Sequence, residues 1–70
     1  MKLSTRNIIK GKVTEVKKEG DVAAKVKVDI GGGNVITSTI TVEAVNELDV
    51  KVGDEIKVLI KASSVMLAKD

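Results

Sequence analysis

The sequence predicts an all-β fold, a small five-stranded barrel with one short helix. Apolar and polar residues alternate with a period of two over most of the 70 residues, which is typical of strands with one buried and one solvated face. A glycine-rich segment separates two of these alternating stretches, as in a hairpin. A single stretch, after residue 41, has the apolar spacing of a helix instead.

The alternating stretches and the turns between them give the strands in order. Residues 22–30 alternate apolar with mostly charged side chains, and residues 31–34 (Gly-Gly-Gly-Asn) tolerate the positive φ angles of a hairpin turn. The next strand is predicted over residues 35–41. Two later strands are predicted over residues 56–60 and 65–68.

The first strand, over residues 8–17, is less regular than the others. Ile9, Gly11 and Val13 share a face, but Val16 is out of phase with them. We expect a bulge or a sharp bend at Gly11 to reconcile the two halves. A bent first strand is what a small closed barrel needs to turn its corner.

The predicted helix begins after Thr41, whose hydroxyl can cap it. Glu43 falls in its first turn, and an apolar stripe consists of Val42, Val45 and Leu48. The resulting order, three strands, a short helix and two strands, suits a five-stranded OB-like barrel. Strands left at an exposed edge could pair across subunits.

The composition indicates a single domain, residues 1–70, that depends on oligomerisation. The chain has no cysteine and no histidine, so disulfides are excluded and a structural zinc site is not expected. No aromatic residue is present, and the 43% hydrophobic residues are almost all small and aliphatic. A core this small becomes more stable when a partner subunit covers it with further apolar side chains.

The same composition argues against an enzyme. Without histidine and cysteine, the commonest general base and the best nucleophile are missing. Glu43 and Glu47 lie one turn apart, but a solvated helix face explains them better than a catalytic acid pair. Gly31 to Gly33 lack the following Lys-Ser or Lys-Thr of a phosphate-binding loop, so a hairpin turn is the better interpretation.

Nucleic-acid binding is a weak alternative, although OB-like barrels often bind single strands. Such binding depends on aromatic stacking and a basic stripe, and the sequence offers neither, with 12 basic and 10 acidic residues interleaved. We expect no membrane partner either, because no stretch is long enough to cross a bilayer. The first six residues lack the apolar segment of a signal peptide, so a cytoplasmic location is expected.

The sequence contains three clusters of small side chains that can donate hydrogen bonds. Two of these clusters also include a cationic residue. Residues 4–7 are Ser-Thr-Arg-Asn, residues 37–39 are Thr-Ser-Thr, and residues 61–64 are Lys-Ala-Ser-Ser. A tetrahedral dianion needs this environment, because each oxygen that loses water must receive a replacement donor. Arginine suits the task, since its planar fork binds two oxygens together.

Each cluster also has a structural explanation. Residues 4–7 could be a polar lead-in to the first strand, and threonines favour strands through β-propensity alone. Ser38 interrupts the apolar row of Ile36 and Ile40, but its hydroxyl could bond the backbone, and Lys61 could simply end a strand. From the residues alone, the hypothesis is a small β domain that binds anions.

Three segments resemble a known family. Residues 4–13 are Ser-Thr-Arg-Asn-Ile-Ile-Lys-Gly-Lys-Val, residues 36–40 are Ile-Thr-Ser-Thr-Ile, and residues 60–65 are Ile-Lys-Ala-Ser-Ser-Val. In this order they resemble the opening, central and closing motifs of the molbindins, the Mop or TOBE domain family. The resemblance extends over nearly the whole chain, and Thr5 replaces a residue that is often smaller.

The resemblance implies an OB-like barrel whose subunits exchange strands to form dimers, which associate into a hexamer. It further implies that molybdate, and tungstate with it, binds at subunit interfaces, with no cofactor and no direct protein ligand to the metal. Carried over to this sequence, the implied oxyanion-binding residues are Ser4, Thr5, Arg6, Asn7, Ser38, Lys61, Ala62 (through its backbone) and Ser63.

Two roles follow from the resemblance. The first is storage or buffering of the oxyanion by a free-standing cytoplasmic protein, which a chain running from Met1 to the charged Asp70 favours. The second is a regulatory or interaction module of a molybdate transporter or regulator, because similar domains are fused to transporter ATPases and to transcriptional regulators.

Overall fold

A computed structural model of the chain describes residues 6–70, which form one curled sheet with a short helix at its side. The predicted all-β class is confirmed. The elements in chain order are β1 (Asn7–Glu19), β2 (Ala23–Gly31), β3 (Asn34–Thr41), α1 (Val42–Leu48) and β4 (Glu55–Ile60), followed by a single 3-10 turn at Ala62–Ser64.

The sheet is antiparallel throughout, with the order β3-β2-β1-β4. The long strand β1 is shared, since its residues 7–12 pair with β4 and its residues 12–19 pair with β2. The hydrogen-bonding partner of β1 therefore changes from β4 to β2 near its middle, and the sheet curls there into a half-barrel. One edge of β3 and one edge of β4 carry no further strand among the described residues.

The turn between β2 and β3 is the predicted hairpin. Gly31 pairs with Asn34, and the two residues between them, Gly32 and Gly33, have φ angles of 63° and 78°. Positive φ at both central positions is the geometry that twists correctly into a two-residue hairpin. The Asp29 carboxylate accepts a hydrogen bond from the Gly31 amide at 2.8 Å and fixes the start of the turn.

The irregularity in β1 exists, but its predicted position at Gly11 is wrong. The register shifts between Val13 and Glu15, so Thr14 is the extra residue. This bulge brings Val13 and Val16 onto the same inner face, which solves the phase problem seen in the sequence. Gly11 serves a different need, because a Cβ there would lie 2.5 Å from Val28 Cγ1 and 2.8 Å from the Asp29 carbonyl oxygen.

The core lies on the concave face of the sheet and is built from small aliphatic side chains. Its fully buried members are Val13, Ala24, Val26, Val28, Val45 and Val50. Partly buried residues of β3 and β4 widen this cluster without closing it. The concave face is consequently only partly covered by the described residues, as the composition led us to expect.

Helix α1 begins as predicted, with the Thr41 hydroxyl accepting a hydrogen bond from the Ala44 amide at 3.0 Å. Val45 is buried against the sheet. Leu48, predicted to continue the apolar stripe, is instead 67% exposed. The helix ends at this residue, and Asp49 takes the left-handed conformation that redirects the chain. No helix among residues 6–70 is long and apolar enough to cross a membrane.

The fifth strand predicted over residues 65–68 is not a strand in the single chain. Residues 65–70 have no regular secondary structure, and Met66 and Leu67 are each 93% exposed. A segment forms a strand only when another strand hydrogen-bonds to it, and none of the described strands pairs with residues 65–68. Within residues 6–70 the structure thus has four strands rather than five.

Candidate functional site

The beginning of β1 and the end of β4 meet side by side. Asn7 and Ile60 are the last Cα partners of this ladder, and the Asn7 side-chain amide donates a hydrogen bond to the Ile60 carbonyl at 3.1 Å. Arg6 and Lys61 are therefore the next residues on two neighbouring segments. The structure thus places Arg6 and Asn7 on a segment beside the one that carries Lys61, more than fifty positions away in sequence.

Both cations at this end of the sheet, Arg6 and Lys61, are exposed to solvent. Asn7 and Ile60 are half-buried, and Arg6 and Lys61, one step further along, are open to solvent. No ion pair to either cation is present among residues 6–70. Extending the ladder by one residue would set Arg6 opposite Lys61, where like charges repel each other and an anion would relieve the repulsion.

The 3-10 turn that follows Lys61 adds neutral donors. The Ser64 amide donates to the Lys61 carbonyl at 2.8 Å, and the Val65 amide donates to the Ala62 carbonyl at 3.2 Å. The first amide that donates within the turn is that of Ser64. The amides of Ala62 and Ser63 come earlier in the turn and donate no hydrogen bond within it. The Ser63 hydroxyl is exposed and makes no hydrogen bond to a described residue.

Asn7 has a structural role at the start of β1, in line with the structural explanation given above for residues 4–7. Its amide holds the ends of β1 and β4 together, so one of its donors is already engaged. The side chain therefore helps to hold the segment that carries Arg6 beside the segment that carries Lys61. Its pairing with Ile60 depends on a strand register that cannot be predicted from local sequence.

Ser38 lies away from this cluster in the single chain. It is half-buried on the concave face of β3, and β3 and β4 form opposite edges of the sheet. Among residues 6–70, none of the side-chain hydrogen bonds involves the Ser38 hydroxyl. Ser38 lines a groove of about 180 Å³ between those edges, otherwise mostly apolar, with Ile40, Leu48, Val50, Ile56 and Val58 among its walls.

Ser4 and Thr5, the first two predicted site residues, lie outside the described residues 6–70. For the described part of the chain, no group of three or more acidic side chains that could hold a metal ion is present. The donors that remain are cationic, hydroxyl and amide groups, which suit an anion rather than a bare metal cation.

The family model for the TOBE domain matches residues 3–67. This chain belongs to the TOBE domain family. The match includes all the site residues predicted above, and it confirms the family that the three sequence motifs indicated.

Relatives of this TOBE domain chain are molybdenum-binding proteins by name. It is 52% identical over 67 residues to a Haemophilus influenzae protein named "Probable molybdenum-pterin-binding protein", covering 96% of each chain. A solved molybdate-binding protein from Sporomusa ovata is 35% identical with a TM-score of 0.90, covering 99% of this chain and 100% of that one. The cytoplasmic molybdate-binding protein ModG, solved with molybdate bound, is 44% identical with a TM-score of 0.87, covering 94% of this chain and 46% of that one.

Proposed function

We propose that this TOBE domain chain is a non-enzymatic cytoplasmic protein that binds molybdate, and tungstate with it, to store or buffer the oxyanion. The observation that carries the proposal is the pairing of Asn7 with Ile60, which puts Arg6 and Lys61 on neighbouring segments, with no ion pair to a carboxylate among the described residues. The names of the relatives support the choice of molybdate, because all three are described as binding molybdate or a molybdenum compound.

The chemistry of a tetrahedral dianion fits these residues. The ion carries two charges and must exchange its water shell for protein donors without losing hydrogen bonds. Arg6 can grip two oxygens with one planar group, whereas Lys61 contributes a mobile point charge. The hydroxyl of Ser63 and the free amides of the following turn supply neutral donors for the remaining oxygens.

We propose the full set Ser4, Thr5, Arg6, Asn7, Ser38, Lys61, Ala62 and Ser63 as the oxyanion-binding residues. Ser38 belongs to the opposite edge of the sheet from Asn7 and Lys61. A site that combines Ser38 of one subunit with Arg6 and Lys61 of its neighbour would not need to span this sheet. We therefore propose that the sites lie at subunit interfaces.

Strand exchange is the proposed basis of the assembly. The segment 65–68 exposes Val65, Met66 and Leu67, and the groove between the free edges of β3 and β4 has an apolar lining. A partner's segment laid in this groove would satisfy the backbone groups of both edges and complete a five-stranded barrel. We propose that such dimers associate further into a hexamer.

The test is calorimetric titration of the purified protein with molybdate, tungstate and sulfate, combined with light scattering at micromolar concentration. We expect saturable binding of molybdate and tungstate by an oligomer. A monomer that binds none of the three ions would contradict the proposal. Binding of sulfate with equal strength would retain the anion site but remove its assignment to molybdenum chemistry.

A second role, as a regulatory or interaction module, is favoured by one observation. The match to ModG covers only 46% of that chain, so this kind of unit also occurs within a longer protein. Purification from the native cell separates the two roles. A store purifies alone with its oxyanion, whereas a module co-purifies with a transporter subunit or a regulator.

A further inference from the structure

Two exposed apolar side chains lie opposite each other near the end of the ladder between β1 and β4. Ile8 and Leu59 are Cα partners, and their exposed fractions are 52% and 38%. Among the described ladders, no other cross-strand pair has two exposed apolar side chains. The other exposed residues of β1 and β4 are all charged or threonine. This apolar pair is therefore an exception among the exposed positions of the two strands.

The apolar pair lies beside the two cations of the proposed site. Side chains two positions apart in an extended chain share a face. Arg6 comes two positions before Ile8, and Lys61 comes two positions after Leu59. Lys61 keeps an extended backbone, with φ −61° and ψ 135°, so β4 continues in direction as far as this residue. An ion held between the two cations would have the apolar pair as its neighbour along the outer face.

Leu59 also connects this pair to the surroundings of Ser38. It lies on β4, which has a free edge among the described strands. There it borders the groove of about 180 Å³ that contains Ser38, together with Ile56 and Val58. Apolar side chains therefore adjoin both parts of the proposed oxyanion site, the cations at one place and the Ser38 hydroxyl at the other.

Apolar side chains next to a bound ion limit how many water molecules can remain on it. The cost of removing water from an ion rises with the square of its charge and falls as its radius grows. Molybdate and tungstate carry the same double charge as sulfate but are larger, so they lose water at a lower cost. The cations alone attract all three dianions, whereas a neighbour that excludes water adds a preference for the larger ones.

We propose that Ile8 and Leu59 are specificity-determining residues of the oxyanion site, which favour molybdate and tungstate over sulfate by limiting the hydration of the bound ion. The two side chains form an apolar wall on one side of the ion and donate no hydrogen bond to it. With less water nearby, the attraction of Arg6 and Lys61 for the ion is also less screened. This inference rests on the proposed function, because it takes the ion to lie between these two cations.

The test compares the dissociation constants of molybdate and sulfate, measured by calorimetry on the intact oligomer at one ionic strength. The quantity that matters is the ratio of the sulfate constant to the molybdate constant. Ile8→Ala combined with Leu59→Ala cuts back the apolar wall without adding a hydrogen-bond donor, and this ratio should fall several-fold. A general loss of structure would weaken the binding of both ions alike and would not change the ratio.

Two controls accompany the double variant. Val35→Ala shortens an apolar side chain that is 55% exposed on β3, at the opposite edge of the sheet, and should leave the ratio unchanged. Ile8→Leu combined with Leu59→Ile exchanges the two residues, which keeps the apolar wall, and should also leave the ratio unchanged. Light scattering checks each variant for an unchanged oligomer. If the double variant does not assemble, the single replacements Ile8→Ala and Leu59→Ala should each lower the ratio.

An unchanged ratio in a correctly assembled double variant would overturn the role of the apolar pair, and so would an equal fall in Val35→Ala. Equal binding of molybdate and sulfate by the unmodified protein would overturn it too, because no selectivity would then need a cause. The failure of the proposed function looks different, since the unmodified protein would then bind no molybdate at all.

Discussion

At the scale of single residues, charge at the proposed site should outweigh every neutral contact. Replacing Arg6 or Lys61 with Ala leaves a bound dianion short of compensation in a partly desolvated interface. Removing one partner of a buried charge pair typically costs about 2–5 kcal/mol, so we expect molybdate to bind at least about tenfold more weakly. Ser38→Ala and Ser63→Ala each remove one neutral donor and should cost on the order of 1 kcal/mol.

The control for this series is Lys25→Ala, on the outer face and paired with Glu19. Its effect on binding should be negligible. Calorimetric titration of the five variants, each with an intact oligomer, tests the ranking. Equal and small effects throughout would mean that the anion is held elsewhere, for example by backbone amides.

Gly11 illustrates a residue whose importance lies in packing. A methyl group added there would meet Val28 Cγ1 at 2.5 Å and the Asp29 carbonyl oxygen at 2.8 Å, and the carbonyl belongs to the backbone. We expect Gly11→Ala to destabilise the protein by about 1–3 kcal/mol, as overpacking commonly does. Urea unfolding measures this change in the free energy of unfolding. The control is Lys10→Ala, at the exposed neighbouring position, and its free energy of unfolding should stay close to that of the unmodified protein. An unchanged midpoint for Gly11→Ala would show that β1 and β2 can separate at no cost.

At the scale of elements, the cap of α1 is the clearest local device. Thr41→Ala removes the acceptor for the Ala44 amide and should lower the free energy of unfolding by about 1 kcal/mol, whereas Thr41→Ser should retain most of it. The control is Thr39→Ala, which lies on the same exposed face of β3 but makes no capping hydrogen bond. Its loss in the free energy of unfolding should be smaller than that of Thr41→Ala. Equal losses at both threonines would assign the effect to β-propensity rather than to the cap.

The elements that the sequence predicted correctly are those set by local chemistry. The glycine hairpin after β2 and the capped start of α1 each depend on residues a few positions apart. The bulge in β1 was predicted, but at Gly11 instead of Thr14, because its position depends on how β1 registers against β2. The segment 65–68 is apolar and was predicted as a strand, yet no described strand pairs with it.

The same distinction applies to the site. The residue types at positions 6, 7 and 61 indicated an anion, and their motifs indicated the family. Their adjacency depends on the pairing of Asn7 with Ile60, a contact spanning 53 positions.

At the scale of the whole molecule, the exposed segment after the 3-10 turn should control assembly. Deleting residues 65–70 removes Val65, Met66 and Leu67, the apolar side chains that we propose dock on a partner. Light scattering should then report a smaller species than the full chain, and calorimetry should report loss of molybdate binding. Deleting residues 69–70 alone removes two exposed charged residues and should leave both unchanged. If the chain without residues 65–70 assembled into an oligomer with the same number of subunits as the full chain, strand exchange would be contradicted.

The meeting of the first and last strands has a consequence for how the ligand acts on the fold. Arg6 and Lys61 lie near opposite ends of the sequence, and a bound oxyanion would tie them together. The ion would act as a reversible cross-link in a chain that has no cysteine to form a covalent one. A ligand at a hundred times its dissociation constant stabilises the folded state by about 2.7 kcal/mol, so the loaded and empty forms should differ markedly in resistance to heat.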